Sequence, residues 1–119
     1  MQPTFKDLWD FVILNKKNKV FTNCTESDIF NELSEGITNG TLFYHTDSEG
    51  NIIGMILARK EPGHVDTLHV LENLAMSMTT LKIFAKEAKK RWPNYKLIWE
   101  KHGQFKQHNT EKFYKRLHV

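Results

Sequence analysis

The fold is decided by residues 41–59, TLFYHTDSEGNIIGMILAR, where the hydrophobic pattern changes from a helical period to a strand period. Two apolar runs, 41–46 and 52–59, are rich in β-branched and aromatic residues and flank the turn-forming stretch Asp47-Ser-Glu-Gly50. Such runs on either side of a short polar turn predict a β-hairpin. Gly54 lies inside the second run, which predicts a bulge or a close packing contact there.

Two segments upstream of the hairpin have helical spacing. Apolar residues recur every three or four positions from Thr4 to about Lys16, and Thr4 is placed to cap the first turn. Thr25 is placed to cap a second helix, and Gly36 is the expected end of that helix. The chain then breaks at Gly40 before the strand pattern begins.

Strand and helix patterns alternate downstream of the hairpin. Residues 64–71 and 95–99 are predicted strands, and the amphipathic segment 79–92 between them is a predicted helix that Pro93 ends. A polar loop is expected next, followed by a final helix from 109 or 110 to about 118. The order α-α-β-β-β-α-β-α predicts an α+β fold in one domain over the whole chain. Its sheet is expected to be mixed and mostly antiparallel, with helices on both faces.

Composition excludes several classes of protein. A chain that is 39% hydrophobic and 12% aromatic is too apolar to be disordered. No apolar run approaches the roughly 18 residues of a membrane span, and the N-terminus lacks the features of a signal peptide. One cysteine cannot form an internal disulfide, and no spacing of ligand residues predicts a metal site. We therefore expect a soluble protein of the cytoplasm, or of the host cytoplasm or virion if the source is viral.

The charge is strongly polarised along the chain. Residues 1–81 contain six basic and eleven acidic residues, whereas residues 82–119 contain eleven basic and three acidic ones. This asymmetry predicts an anionic partner for the C-terminal third, and nucleic acid is one candidate. The basic residues expected to contact it are Lys86, Lys89, Lys90, Arg91, Lys96, Lys101 and Lys106.

The last predicted helix carries the most specific motif, Asn109-Thr-Glu-Lys-Phe-Tyr-Lys-Arg-Leu117. It resembles the late signature of the GNAT (GCN5-related N-acetyltransferase) superfamily, in which an Asn precedes Phe-Tyr, a basic residue and a hydrophobic one. The run Gly50-Asn-Ile-Ile-Gly54 is similar to the central hairpin of that family. The resemblance covers about residues 4–117, and it is to small, trimmed members of the kind found in bacteriophages or bacteria.

The resemblance implies that acetyl-CoA binds between the third and fourth strands and acetylates a primary amine on a small molecule or a protein. Backbone amides at the start of the next helix would hold the pyrophosphate. The cofactor-binding residues implied are Leu71, Ser77, Met78, Thr79, Thr80 and Asn109. Tyr114 matches the family's acid for the departing thiolate, and the candidate bases are Glu72, His69 and Asp66.

The expected pyrophosphate loop, residues 71–80, departs from the family pattern because it contains no glycine and carries Glu72. Three functions therefore stay open: an N-acetyltransferase, a relative that has lost CoA binding, and a nucleic-acid-binding or virion accessory protein that uses the basic third. The family's first and last strands are missing, which predicts sheet edges that a homodimer would cover.

Overall fold

The computed structural model describes residues 2–15, 25–60, 66–74, 77–101, 104–107 and 109–119, with the backbone alone for 71–74, 100–101 and 104–107. Four helices and five strands lie in these ranges. In chain order they are α1 (Phe5–Leu14), α2 (Glu26–Asn39), β1 (Leu42–Thr46), β2 (Ile52–Lys60), β3 (Thr67–Leu74), α3 (Met78–Arg91), β4 (Lys96–Lys101), β5 (Gln104–Gln107) and α4 (Thr110–Arg116).

The five strands form one sheet in the order β1-β2-β3-β4-β5. The β3–β4 pair is parallel, and the other three pairs are antiparallel. The predicted α+β class with a mixed, mostly antiparallel sheet is therefore confirmed. None of the helices in the described ranges has the length and apolar character that a membrane crossing requires.

Helices cover both faces of the sheet, because successive residues of a strand point to opposite sides. On one face α1 and α2 pack on β1 and β2 around Leu8, Ile29 and Met55. On the other face α3 and α4 pack around Phe84 and Leu97. The predicted arrangement of helices on both faces is confirmed.

The predicted hairpin is formed by β1 and β2. In its turn the Asp47 carboxylate accepts hydrogen bonds from the amides of Glu49 and Asn51, both at 2.9 Å. Both consequences expected of Gly54 are confirmed. The register shifts between His45 and Thr46, beside the pair His45↔Gly54, and a side chain on Gly54 would collide with the Thr80 hydroxyl.

The expected end of the second helix at Gly36 is wrong. Helix α2 continues to Asn39 and is capped by Gly40, whose φ of 69° is a left-handed conformation that favours glycine. Gly36 is buried in the middle of the helix, where a Cβ atom would meet the Leu57 side chain. It serves the close approach of helix and sheet rather than the helix end.

The expected polar loop after β4 is wrong in part, because residues 104–107 form the edge strand β5. β5 pairs antiparallel with β4 from Lys101↔Gln104 to Ile98↔Gln107. Its sequence, Gln-Phe-Lys-Gln, carries little apolar pattern, and the pairing is made by backbone groups that any sequence possesses. The element order therefore has one strand more than predicted. The third strand is described from Thr67, Asp66 is a turn residue, and residues 64 and 65 of the predicted strand lie outside the described residues.

Both N-terminal helices begin with reciprocal capping boxes. Thr4 pairs with Asp7 in α1, and Thr25 pairs with Asp28 in α2. The backbone amide of each threonine donates to the aspartate carboxylate, at 2.8 and 3.0 Å. These hydrogen bonds hold the pKa of both carboxylates below the usual value of 3.8.

These caps predict a loss of stability in acid. Because the pKa values of Asp7 and Asp28 are depressed in the folded chain, their contribution is present above about pH 3.8 and is lost as pH falls through the folded values. We expect the urea concentration at the unfolding midpoint to decrease as the pH is lowered from about 5 to about 2. We expect it to fall less steeply in Asp7→Asn/Asp28→Asn, because asparagine accepts the same hydrogen bond without a charge. An equal slope in both proteins would contradict the prediction.

Candidate functional site

β3 and β4 are paired along only part of their lengths. Their parallel ladder runs from Thr67↔Lys96 to Val70↔Trp99. Beyond it, β3 continues to Leu74 along β2, and β4 continues to Lys101 along β5. Past this point each strand is paired only with its other neighbour, and we call this unpaired end of β3 and β4 the β3–β4 separation.

A β-bulge lies where the separation begins. The β2–β3 register passes from Ala58↔Val70 to Leu57↔Glu72, so Leu71 is the extra residue. Bulges bend a strand and redirect its backbone groups, and they are common beside functional sites. The side chains of Leu71 and Glu72 lie outside the described part of the chain, but their backbone lies at the start of the separation.

The chain enters α3 soon after the separation. Ser77 is the N-cap, and its Oγ accepts from the Thr80 amide at 3.2 Å and lies 3.1 Å from Thr80 Oγ1. This leaves the amides of Met78 and Thr79 without an acceptor inside the helix. No acidic residue lies in the first turn. The start of α3 therefore favours an anion.

Thr80 and Ser77 are better explained as parts of this cap than as ligand contacts. Thr80 is completely buried, and its side chain fills the space above Gly54 in β2. Met78 and Thr79 are exposed and adjacent. Of the residues implied for cofactor binding, Ser77, Met78, Thr79 and Thr80 come together here.

Asn109 lies elsewhere, as the N-cap of α4, and its side chain accepts from the Lys112 amide at 3.0 Å. The next residue, Thr110, accepts from the Leu97 amide at 3.0 Å and ties the helix to the first part of β4. Asn109 lies there because β5 brings the chain back along β4 to the level of Ile98 before α4 begins.

Tyr114 is buried and belongs to the core under α4. Burial raises the pKa of its phenol, so the group is protonated at neutral pH, as an acid must be. It lines a groove of about 480 Å³ with Tyr95 and Lys96 at the start of β4. That end is about 10 Å along the strand from Trp99, where the separation begins. Phe113, the preceding residue, contacts the Trp99 ring at 5.6 Å between ring centres.

His69 and Tyr114 lie on opposite faces of the sheet. Leu68 and Val70 point into the core that contains Tyr114, so the buried His69 between them points to the α2 side. Asp66 has a positive φ of 62°, and its carbonyl accepts from the Lys96 amide at 2.7 Å, which joins the starts of β3 and β4. The sheet therefore separates His69 from Tyr114, whereas the backbone of Asp66 lies beside Lys96, at the end of β4 where Tyr114 lines its groove.

The basic residues of α3 line a second groove, of about 660 Å³, between this helix and the turn at Leu117–Val119. Lys86, Lys89 and Lys90 lie in it, as does Lys82, which sequence reasoning missed although it lies one turn before Lys86. The other expected contacts lie elsewhere: Arg91 stacks on Trp92 and Lys96 is exposed at the start of β4, while the side chains of Lys101 and Lys106 lie outside the described residues.

The chain has no significant match among models of known protein families, curated proteins or solved structures. Within the described ranges, no three His, Cys, Asp or Glu side chains come together as a metal site would need. The geometry of the β3–β4 separation and the motif of α4 therefore carry the functional argument by themselves.

Proposed function

We propose that this chain is a GNAT-like domain that binds acetyl-CoA where β3 and β4 separate. The observation that carries the proposal is the ladder that stops at Val70↔Trp99, with the bulge at Leu71 and the anion-favouring start of α3 beside it. A thioester arm placed between separated strands can hydrogen-bond to backbone groups that no longer pair with each other. The pyrophosphate would lie at the Met78 and Thr79 amides.

Transfer to a primary amine is the reaction that such a site would serve. The amine would attack the thioester carbonyl to form a tetrahedral oxyanion, the nitrogen would lose one proton, and the C–S bond would break to release CoA as a thiolate that takes up one proton and leaves the amide. A strand amide near the bulge would stabilise the oxyanion. Tyr114 has the protonation state of an acid but lines the groove at the start of β4 rather than the end of the β3–β4 ladder. Acetyl-CoA binding is therefore better supported than proton donation by Tyr114.

Acetyl-CoA should stabilise the folded chain. At about 100 times its dissociation constant, a ligand that binds only the folded state raises the free energy of unfolding by about 2.7 kcal/mol. For a domain of this size we expect the melting temperature to rise by roughly 10 °C. Differential scanning fluorimetry with acetyl-CoA, and with AMP as a comparison, measures this. No shift at millimolar acetyl-CoA would contradict the proposal.

Thr79→Glu provides the matched test of the pyrophosphate position. A carboxylate in the first turn of α3 agrees with the helix dipole and leaves the fold intact, but it repels a phosphate. The thermal shift should disappear in Thr79→Glu and persist in Thr79→Gln. In the unchanged protein, release of the CoA thiol when a primary amine is added to the acetyl-CoA complex would identify an enzyme. Binding without release identifies a non-catalytic relative.

A further inference from the structure

The groove beside α3 combines free positive charge with an apolar floor. Lys82, Lys86 and Lys90 are exposed and form no hydrogen bond or ion pair with any residue in the described ranges. Lys89 is fixed, because its Nζ donates to the Val119 carbonyl at 2.8 Å. No acidic side chain lines the described part of the groove. The surface has the charge of a binding site for a polyanion.

The four lysines lie along one side of the helix. Residues 82, 86, 89 and 90 lie within about 100° of the helix circumference, and they span about 12 Å of its axis at 1.5 Å per residue. One strand of nucleic acid rises about 3.4 Å per phosphate when its bases are stacked. The row is therefore long enough to contact three or four consecutive phosphates.

The apolar floor of the groove favours a single-stranded nucleic acid over a membrane surface or a duplex. Ile83 is partly buried and Leu117 is buried, and both lie below the level of the lysines. A membrane-binding helix needs apolar side chains that protrude, which these do not. A duplex keeps its bases stacked inside and has no base face to place on a recessed apolar floor. A single strand can place phosphates on the lysines and bury the apolar face of an unpaired base against the aliphatic floor.

We infer that the groove between α3 and the turn at Leu117–Val119 binds single-stranded nucleic acid. The lysine row contacts the phosphates, and the floor formed by Ile83 and Leu117 receives an unpaired base. The excess of basic over acidic residues in 82–119 adds a long-range attraction for a polyanion. Thr79, at the start of α3, lines one end of the same groove, but the inference does not rest on the proposed acetyl-CoA site because the lysines that carry it lie from the second turn of the helix onward.

Fluorescence anisotropy with a labelled oligothymidylate of about 20 nucleotides tests the inference. Three or four phosphate contacts predict a slope of about −2 to −3 for log affinity against log salt. The affinity should therefore fall roughly 20- to 50-fold between 50 and 200 mM salt. In Lys86→Ala/Lys90→Ala the slope should become shallower by about 1.4, because each removed contact contributes about 0.7.

Lys6→Ala is the matched control, because Lys6 is an exposed lysine on α1, on the opposite face of the sheet. It should bind like the unchanged protein. Circular dichroism checks that each variant is folded. Three outcomes would overturn the inference: binding that does not change with salt, equal binding by the double variant, and tighter binding of a duplex of the same length.

Discussion

Phe84→Ala should remove a large part of the stability of the fold. Phe84 is completely buried, and its ring contacts Phe43 of β1 at 5.1 Å and Trp99 of β4 at 6.0 Å between ring centres. Truncating a buried phenylalanine costs about 3–5 kcal/mol, which compares with about 5–15 kcal/mol for a whole domain. Urea denaturation followed by tryptophan fluorescence measures the free energy of unfolding.

Phe30→Ala is the matched control. Phe30 lies on α2 with 51% of its surface exposed, although it touches the rings of Phe5 and Trp9. We expect it to cost about 1 kcal/mol. If Phe84→Ala does not fold, Phe84→Leu should fold with a loss of about 1–2 kcal/mol. Equal losses for Phe84→Ala and Phe30→Ala would show that Phe84 is not the centre of this core.

Gly54→Ala should also destabilise the chain, although alanine is normally the better residue within a strand. The added methyl group would collide with Thr80 Oγ1 and lie 2.9 Å from Thr80 Cγ2. Overpacking of a buried contact costs about 1–3 kcal/mol, more than the roughly 0.5–1 kcal/mol that alanine gains over glycine. The free energy of unfolding from urea denaturation measures the difference.

A double-mutant cycle with Thr80→Ala identifies the cause. Thr80→Ala alone removes the hydroxyl that lies 3.1 Å from Ser77 Oγ, at a cost of about 1 kcal/mol. It also removes the two nearest of the three Thr80 atoms that the new methyl group would meet, and it leaves Cβ at 3.0 Å. Gly54→Ala should therefore cost at least about 1 kcal/mol less in the Thr80→Ala background. Additive losses would mean that the space above Gly54 is not what requires glycine.

The sequence predicts those parts of the fold whose signals are local. The hairpin of β1 and β2 follows from apolar runs around a polar turn, and the caps of α1 and α2 follow from Thr-x-x-Asp. Gly36 was misassigned because a glycine that ends a helix and one that lets a helix approach a sheet look alike in sequence. β5 was missed because backbone pairing at a sheet edge needs no apolar pattern.

The candidate site was predictable only as a set of separate residues. The start of α3 lies where the sequence places it, since a serine cap and an amphipathic helix are local features. The position of Tyr114 depends on β5, which returns the chain along β4 before α4 begins. The sequence motif of α4 does not reveal at which end of β4 this helix lies. The groove beside α3 depends on where residues 117–119 pack, which is a tertiary contact.

The short ladder between β3 and β4 has a mechanical consequence. Four residue pairs join a ribbon of β1, β2 and β3 to a second ribbon of β4 and β5. A ladder of four pairs, which is as short as any in this sheet, is a place where the sheet can open locally below global unfolding. Helix α3 packs across this ladder, because the Phe84 ring contacts Phe43 of β1 on one side and Trp99 of β4 on the other. The resistance of β3 and β4 to moving apart is thus set in part by the packing of Phe84 beneath them.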